Sequence, residues 1–106
     1  MTTTLQSALQ ETRQVLRQMY GERLVHVVLY GSQARGDAGP ESDVDVLVVL
    51  DGPFDLYDET KRLSRLKLEL LDRYDQVFSF QPFTAEEYAD LQRPLMRNVR
   101  AEGIEL

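Results

Sequence analysis

The stretch "LYGSQARGDAGPESDVDVLVVL", residues 29–50, decides the fold of this chain. A polar loop with three glycines separates two apolar runs, 24–30 and 43–50. Both runs are short and rich in β-branched residues, which predicts two β-strands. The second half of the later run is apolar at every position, as in a central strand that is buried on both faces.

The rest of the chain predicts helices around a small sheet. Apolar periodicity and capping residues indicate five further elements: helices over 3–20 and 56–71, a strand over 76–83, and two short helices that start at Thr84 and Pro94. Pro82 suggests that the third strand lies at an edge or ends there. The predicted fold class is therefore α/β (α+β), with a small mixed β-sheet and helices packed on it, in a single domain over 1–106.

Composition narrows the possible functions. The 106 residues suit one modest core and leave no room for a separate substrate-binding domain. The chain has no cysteine, which excludes disulfides, thiol catalysis and thiolate metal sites. Its net charge of −6 disfavours general binding to nucleic acid. No apolar run resembles a signal peptide or a membrane span, so a cytoplasmic protein is expected.

The loop after the first strand suits a phosphate group. Gly31 would let the backbone approach an anion closely, and Ser32 adds a hydroxyl beside exposed N–H groups. If "SQAR" forms a helical turn, its positive end also faces the ligand. The Walker A and dinucleotide-binding patterns are absent, and a solvated loop between two strands is the simpler reading of this element alone.

Two aspartates follow the loop, at the start of the second strand. Side chains alternate along a strand, so Asp43 and Asp45 should share a face, about 7 Å apart at the Cα atoms. Two like charges at that distance repel each other unless a cation or hydrogen-bond donors lie between them. Mg²⁺ commonly binds through one or two carboxylates plus the phosphates of a substrate. Loop and aspartates together predict phosphoryl or nucleotidyl transfer.

The segment "GSQARGDAGPESDVDVLVVL" resembles the signature of the DNA polymerase β-type nucleotidyltransferase superfamily, in which Gly-Ser, a spacer of about ten residues and Asp-x-Asp follow one another. With Ala34, Arg35, Gly36 and Ser42 in the loop, it is most similar to the minimal nucleotidyltransferases (MNT). Many MNT proteins are antitoxins that are encoded beside a HEPN-domain toxin. The leading helix and the short chain are also typical of that family.

The resemblance implies a role for each matching position. Gly31 and Ser32 would bind the β- and γ-phosphates of ATP or another nucleoside triphosphate, and Asp43 and Asp45 would be the catalytic ligands of two Mg²⁺ ions. Arg35, Gly36 and Ser42 would shape the nucleotide-binding loop, and Arg35 would add positive charge near the phosphates. A hydroxyl would attack the α-phosphorus and pyrophosphate would leave. In MNT antitoxins the acceptor is a tyrosine of the HEPN toxin.

One expected feature is missing from the sequence. Active superfamily members usually carry a third carboxylate on a later strand, where it serves as metal ligand and base. The strand over 76–83 has no acid; Ser79 or Gln81 stands where one is expected, and Asp75, just upstream, is more simply explained as a turn residue. The enzyme could therefore be slow, or the protein could neutralise its partner by binding alone. Transfer to a small molecule is a further alternative, although such enzymes normally have an extra domain.

The sequence says less about the partners of the protein and about its remaining polar and aromatic residues. The short chain favours a site that is shared in a homodimer or hetero-oligomer, without membrane contact. The run "KRLSRLK", 61–67, and the arginines 93, 97 and 100 form two basic faces that a partner could use. His26, the only histidine, is expected to be structural. The aromatic residues of the third strand are expected to pack in the sheet.

Overall fold

The computed structural model describes residues 1–39 and 41–106, so that Pro40 of the predicted loop lies outside the described residues. The elements follow one another as α1 (Thr3–Tyr20), β1 (Leu24–Tyr30), α2 (Ser32–Arg35), β2 (Val44–Leu50), α3 (Leu56–Tyr74), β3 (Phe78–Thr84), α4 (Ala85–Ala89), α5 (Pro94–Glu102) and β4 (Ile104–Glu105). A 3-10 turn, Gly21–Arg23, joins α1 to β1.

The strands form one mixed sheet in the order β3–β2–β1–β4. β2 runs antiparallel to β1 and parallel to β3, while β4 adds an antiparallel edge to β1. The predicted central strand is β2, and its residues 46–50 are completely buried. Pro82 lies on the edge strand β3, where a missing N–H disturbs the hydrogen-bond ladder least. The predicted fold class is confirmed.

Helices cover the two faces of the sheet unequally. On one face, α1 and α3 pack against the strands in a large apolar cluster that includes Leu16, Val46, Leu66 and Phe78. On the other face, α4 and α5 form a smaller cluster with Leu47, Val49, Met96 and Val99. Because α4 and α5 have only 5 and 9 residues, they cannot cover the whole sheet. Tyr30, which pairs with Asp45, packs at the margin of the smaller cluster.

Element boundaries agree closely with the sequence patterns. The capping box predicted at Thr84 is present, with the Thr84 side chain and the Glu87 backbone and side chain bonded reciprocally. α3 continues three residues beyond the predicted end, to Tyr74, and Asp75 caps it in the left-handed region at φ 55°. Two elements were not predicted, the 3-10 turn and β4. Both are too short to produce a periodic pattern, and β4 exists only through its pairing with β1.

Within residues 1–39 and 41–106, no helix combines the length and apolar character that crossing a membrane requires.

Candidate active site

The glycine-containing loop begins with a tight turn between β1 and α2. Gly31 has φ 75°, a left-handed conformation that favours glycine, and α2 starts at the next residue, Ser32. The turn is short because Gly36, at φ 84°, ends it in the left-handed region and donates its N–H to the Ser32 carbonyl. The conditional prediction that "SQAR" forms a helical turn is confirmed. The first N–H groups of a helix lack partners within it, so this turn offers backbone donors beside the Ser32 hydroxyl.

Asp45 lies directly against that turn. A Cβ atom built on Gly31 would approach the Asp45 Oδ2 atom to 2.5 Å, which no real side chain tolerates. In the sheet, Asp45 pairs with Tyr30 of β1 on one side and with Ser79 of β3 on the other. Paired residues share a face, so these three side chains lie side by side. Asp43 precedes β2 and is exposed, whereas Asp45 is partly buried.

Electrostatics set Asp45 apart from an ordinary surface aspartate. Burial raises the pKa of the Asp45 carboxyl, and the nearby charge of Asp43 raises it further, while Arg35 acts in the opposite direction. Burial and the charge of Asp45 also raise the pKa of Tyr30 to about 12. Burial is the larger cause of both shifts, and the neighbouring carboxylates add negative charge at this end of β2. A bound cation would offset that negative charge.

Arg35 is engaged by two carboxylates of its own. Its Nε atom lies 3.2 Å from Asp37 Oδ2, and its Nη1 atom lies 3.1 Å from Glu102 Oε2 at the end of α5. These hydrogen bonds raise the pKa of the Arg35 guanidinium, beginning with the one to Glu102. One guanidinium shared between two acids cannot also neutralise Asp43 and Asp45. Metal ions and their water or phosphate ligands fit the remaining charge.

Ser42 and Gly39 shape the loop before the aspartates. The Ser42 hydroxyl accepts a 2.9 Å hydrogen bond from the Gly39 N–H, and the Ser42 N–H donates to the Gly39 carbonyl over 3.2 Å. Ser42 therefore folds the loop back just before Asp43. Its role in nucleotide binding stays a prediction of the family resemblance.

The described residues supply no third carboxylate beside the pair. Among residues 1–39 and 41–106, no group of three or more His, Cys, Asp or Glu side chains is placed to hold a metal ion. Asp75, the candidate from sequence, is the C-cap of α3, and its N–H donates to the Leu71 carbonyl. Ser79 occupies the sheet position next to Asp45, and Gln81 donates to its hydroxyl over 3.3 Å. Oxygen donors from two aspartates plus substrate phosphates fit Mg²⁺, which rarely takes an all-protein cage.

Several residues outside the site have structural roles. His26 Nδ1 lies 2.6 Å from Glu105 Oε1, and the other Glu105 oxygen accepts the Val27 N–H, so this pair fastens β4 to β1. Arg97 and Arg100 donate to backbone carbonyls in and before the connection between α4 and α5. The second basic face predicted from sequence is therefore largely used inside the molecule.

Sequence reasoning missed three residues: Tyr30, which pairs with Asp45, and Asp37 and Glu102, which bind Arg35. Tyr30 immediately precedes Gly31. Antiparallel pairing of the two strands that flank the loop would have placed it next to Asp45. Asp37 is close to Arg35 in the chain. Glu102 lies 67 residues from Arg35, and nothing local in the sequence indicates their contact.

Comparison with known proteins agrees with this geometry. A family model described as "Nucleotidyltransferase domain" matches residues 9–102. A protein of Methanocaldococcus jannaschii, named "Putative protein adenylyltransferase", is 39% identical over 71 residues, which are 66% of this chain and 48% of that protein. The chain thus spans about half the length of this curated relative.

Solved structures show the same fold. One, described as "Structure of putative minimal nucleotidyltransferase", aligns with a TM-score of 0.59 and 28% identity over 94% of each chain. Another, of a toxin–antitoxin with AMP-PNP, aligns with a TM-score of 0.63 over 90% of this chain and 69% of the other, at 18% identity, and shows likeness of fold alone. The chain belongs to the nucleotidyltransferase domain family, and the family resemblance read from its Gly-Ser and Asp-x-Asp motif is confirmed.

Proposed function

We propose that the chain is a Mg²⁺-dependent nucleotidyltransferase that transfers a nucleoside monophosphate, AMP in the first instance, from a nucleoside triphosphate to a hydroxyl of a partner protein. The observation that carries this proposal is the contact between Gly31 and the Asp45 carboxylate, with Asp43 two residues earlier. A phosphate on the loop would then meet both aspartates. The name of the M. jannaschii relative supports AMP transfer to protein.

Each side chain has a physical task in this reaction. Gly31 and Ser32 bind the β- and γ-phosphates through backbone N–H groups and the Ser32 hydroxyl. Asp43 and Asp45 would hold two Mg²⁺ ions, which neutralise phosphate charge and favour departure of pyrophosphate when bound. Arg35 is held beside Asp45 by Asp37 and Glu102 and adds a fixed positive charge.

The direction of attack follows from where the leaving group is held. In phosphoryl transfer the attacking and leaving oxygens lie roughly in line. With pyrophosphate on the β1 side of Asp45, the acceptor hydroxyl approaches from the β3 side, past Ser79. Its oxygen bonds to the α-phosphorus as the bond to the bridging oxygen breaks. With Ser79 in place of an acid, the hydroxyl proton passes to water or to the substrate.

We further propose that the acceptor is a toxin of the HEPN type and that the chain is its antitoxin. The similar fold of a toxin–antitoxin structure with AMP-PNP supports this role. A short domain with an exposed site suits a large protein acceptor that supplies the rest of the binding surface. A tyrosine hydroxyl is the acceptor group that the family resemblance suggests.

A second function is favoured by one specific observation. Since no third acid joins Asp43 and Asp45 in the described part of the chain, the site resembles one that binds a nucleotide without turning it over. In that case the protein neutralises its partner by forming a complex. Loss of a catalytic base costs about 10²–10⁴-fold in rate, so slow transfer and pure binding must be separated by experiment.

The first experiment mixes the pure protein with α-labelled ATP, Mg²⁺ and a lysate of its source organism. The double variant Asp43→Asn/Asp45→Asn is treated in the same way, and label fixed on protein is measured. A labelled band that is missing with the variant establishes transfer and reveals the acceptor. Binding of a fluorescent ATP analogue to both proteins is measured in parallel.

The outcome separates the two functions. If the partner is expressed but remains unlabelled, while wild-type protein binds nucleotide and neutralises the partner in nucleotide-free buffer, complex formation is the function. A strict requirement of neutralisation for ATP and Mg²⁺ excludes that alternative. If the double variant binds nucleotide and neutralises the partner as well as the wild type does, both proposals for the aspartates are contradicted.

A further inference from the structure

The outer face of α3 carries three large apolar side chains that are exposed to solvent. Tyr57, Leu68 and Leu71 are 74%, 66% and 41% exposed. They lie on the side opposite the buried residues Leu63 and Leu66, as helical spacing requires. Single exposed apolar residues are common, but three on one stripe indicate a contact surface.

Charged residues on the same face are separated along the helix. Lys61 and Arg65 lie in its first half, and Asp72 and Asp75 lie at its end. In the part of the chain that the structure describes, none of these four forms a salt bridge.

Other charged groups on α3 have different surroundings. Glu59 accepts a buried 2.9 Å hydrogen bond from Tyr20, and Arg73 pairs with Glu11, so these two turn toward α1. The outer face therefore has Leu68 and Leu71 between Arg65 and Asp72, while the exposed Tyr57 and Asp58 lie at its start.

We propose that this outer face of α3 binds the same face of a second copy of the chain, with the two helices antiparallel. An antiparallel arrangement that crosses at Leu68 brings Arg65 of one copy near Asp72 of the other, and two-fold symmetry forms this pair twice. The leucines at 68 and 71 meet near the centre. A parallel arrangement would place like charges together, which disfavours it.

The proposed dimer is independent of the reaction at the aspartates. α3 packs on one face of the sheet, whereas Asp45 points to the other face with Leu47 and Val49. Both active sites of a dimer therefore stay open to nucleotide and acceptor. One pair of helices buries less than the roughly 1,600 Å² of a standard interface, so dissociation in the micromolar range is expected.

Sedimentation equilibrium of the pure protein from 1 to 300 μM tests the proposal. We expect the average mass to rise with concentration from 12.2 kDa toward twice that value. Leu68→Glu should raise the dimer dissociation constant at least tenfold. Leu91→Glu is the matched control, because Leu91 is 50% exposed but lies outside α3, and it should leave dissociation unchanged.

A charge exchange tests the orientation of the helices. Arg65→Glu and Asp72→Arg should each weaken the dimer, and the double variant should restore it, because the pair is rebuilt between copies. Circular dichroism confirms that each variant is folded. Protein that remains monomeric at 300 μM overturns the proposal, and so does a dimer that Leu91→Glu breaks and Leu68→Glu does not. Neither result depends on whether nucleotide transfer is observed.

Discussion

Asp45 combines an unfavourable charge with the position proposed for a metal ligand. It is partly buried beside Asp43, and burial and that second carboxylate raise its pKa. Because the folded state holds its proton more tightly than the unfolded state, ionised Asp45 lowers the stability of the fold. This penalty grows as pH rises from the ordinary aspartate pKa, about 3.9, through the raised value, and it is complete at neutral pH.

Asp45→Asn should therefore raise the melting temperature at pH 7 in buffer with EDTA, while transfer activity falls by about 10²–10³-fold. The gain in melting temperature should shrink at pH 3, where the wild-type carboxyl is protonated. Calorimetry at both pH values checks this, with Asp51→Asn, at an exposed position, as the control. A variant that melts below the wild type at pH 7 would contradict the charge argument.

Gly31 should be required for two reasons, its positive φ angle and its contact with Asp45. Comparison with Gly52 allows the two effects to be measured separately. Gly31 and Gly52 have similar positive φ angles, 75° and 78°, but only Gly31 faces Asp45; no atom lies within 4 Å of a Cβ built on Gly52. Gly52→Ala should cost about 1 kcal/mol for its backbone conformation. Gly31→Ala should cost about 1–3 kcal/mol more and abolish nucleotide binding. Urea unfolding measures both, and equal losses would show that the Asp45 contact is unimportant.

At the scale of elements, the pairing of β2 with β3 decides what flanks the proposed metal ligands Asp43 and Asp45. The parallel register sets Ser79 opposite Asp45 and Gln81 opposite Leu47. β3 is an edge strand, so its polar side chains remain accessible beside the site. The place where an acid could assist the attacking hydroxyl is thus defined by the sheet, although the residue there is a serine.

Ser79→Asp should increase the rate of nucleotide transfer, by up to about 10²–10⁴-fold, because it supplies a base next to Asp45. Gln81→Asp is the matched control. It adds the same charge two residues further along β3, opposite Leu47, and should have a smaller effect. Initial rates with labelled ATP and saturating Mg²⁺ measure both. Equal rates in all three proteins would mean that proton transfer does not limit the reaction.

At the scale of the whole molecule, the acidic charge predicts that cations stabilise the fold near the proposed site. The net charge is −6, Arg35 is paired with Asp37 and Glu102, and Asp45 lies beside Asp43. A cation that binds the folded state alone stabilises it by an amount set by concentration and affinity. This stabilisation can be measured without any acceptor.

Mg²⁺ should raise the melting temperature of the wild type relative to NaCl at the same ionic strength. At ten times the dissociation constant the expected gain is about 1.4 kcal/mol. The double variant Asp43→Asn/Asp45→Asn should show no difference between the two salts. A Mg²⁺ effect of equal size in both proteins would place the cation elsewhere.

Much of this architecture follows from local sequence. Apolar spacing predicts α1 and β1 at their observed bounds, and the capping residues Thr84 and Pro94 mark the starts of α4 and α5. These signals work because capping and periodicity act within a few residues. The Gly-Ser and Asp-x-Asp motif likewise predicts which residues form the site, since its spacing matches one loop and one strand.

Contacts between distant parts of the chain were decided only by the tertiary structure. The pairing of Asp45 with Ser79, the capture of Arg35 by Glu102, and the attachment of β4 through Glu105 each join segments more than 30 residues apart. Sequence by itself determined the α-helices, strands β1 to β3 and the acidic pair, because those depend on neighbouring residues. The surroundings of that pair, and the solvent-facing side of α3, depend on how the elements pack, and no local pattern encodes that packing.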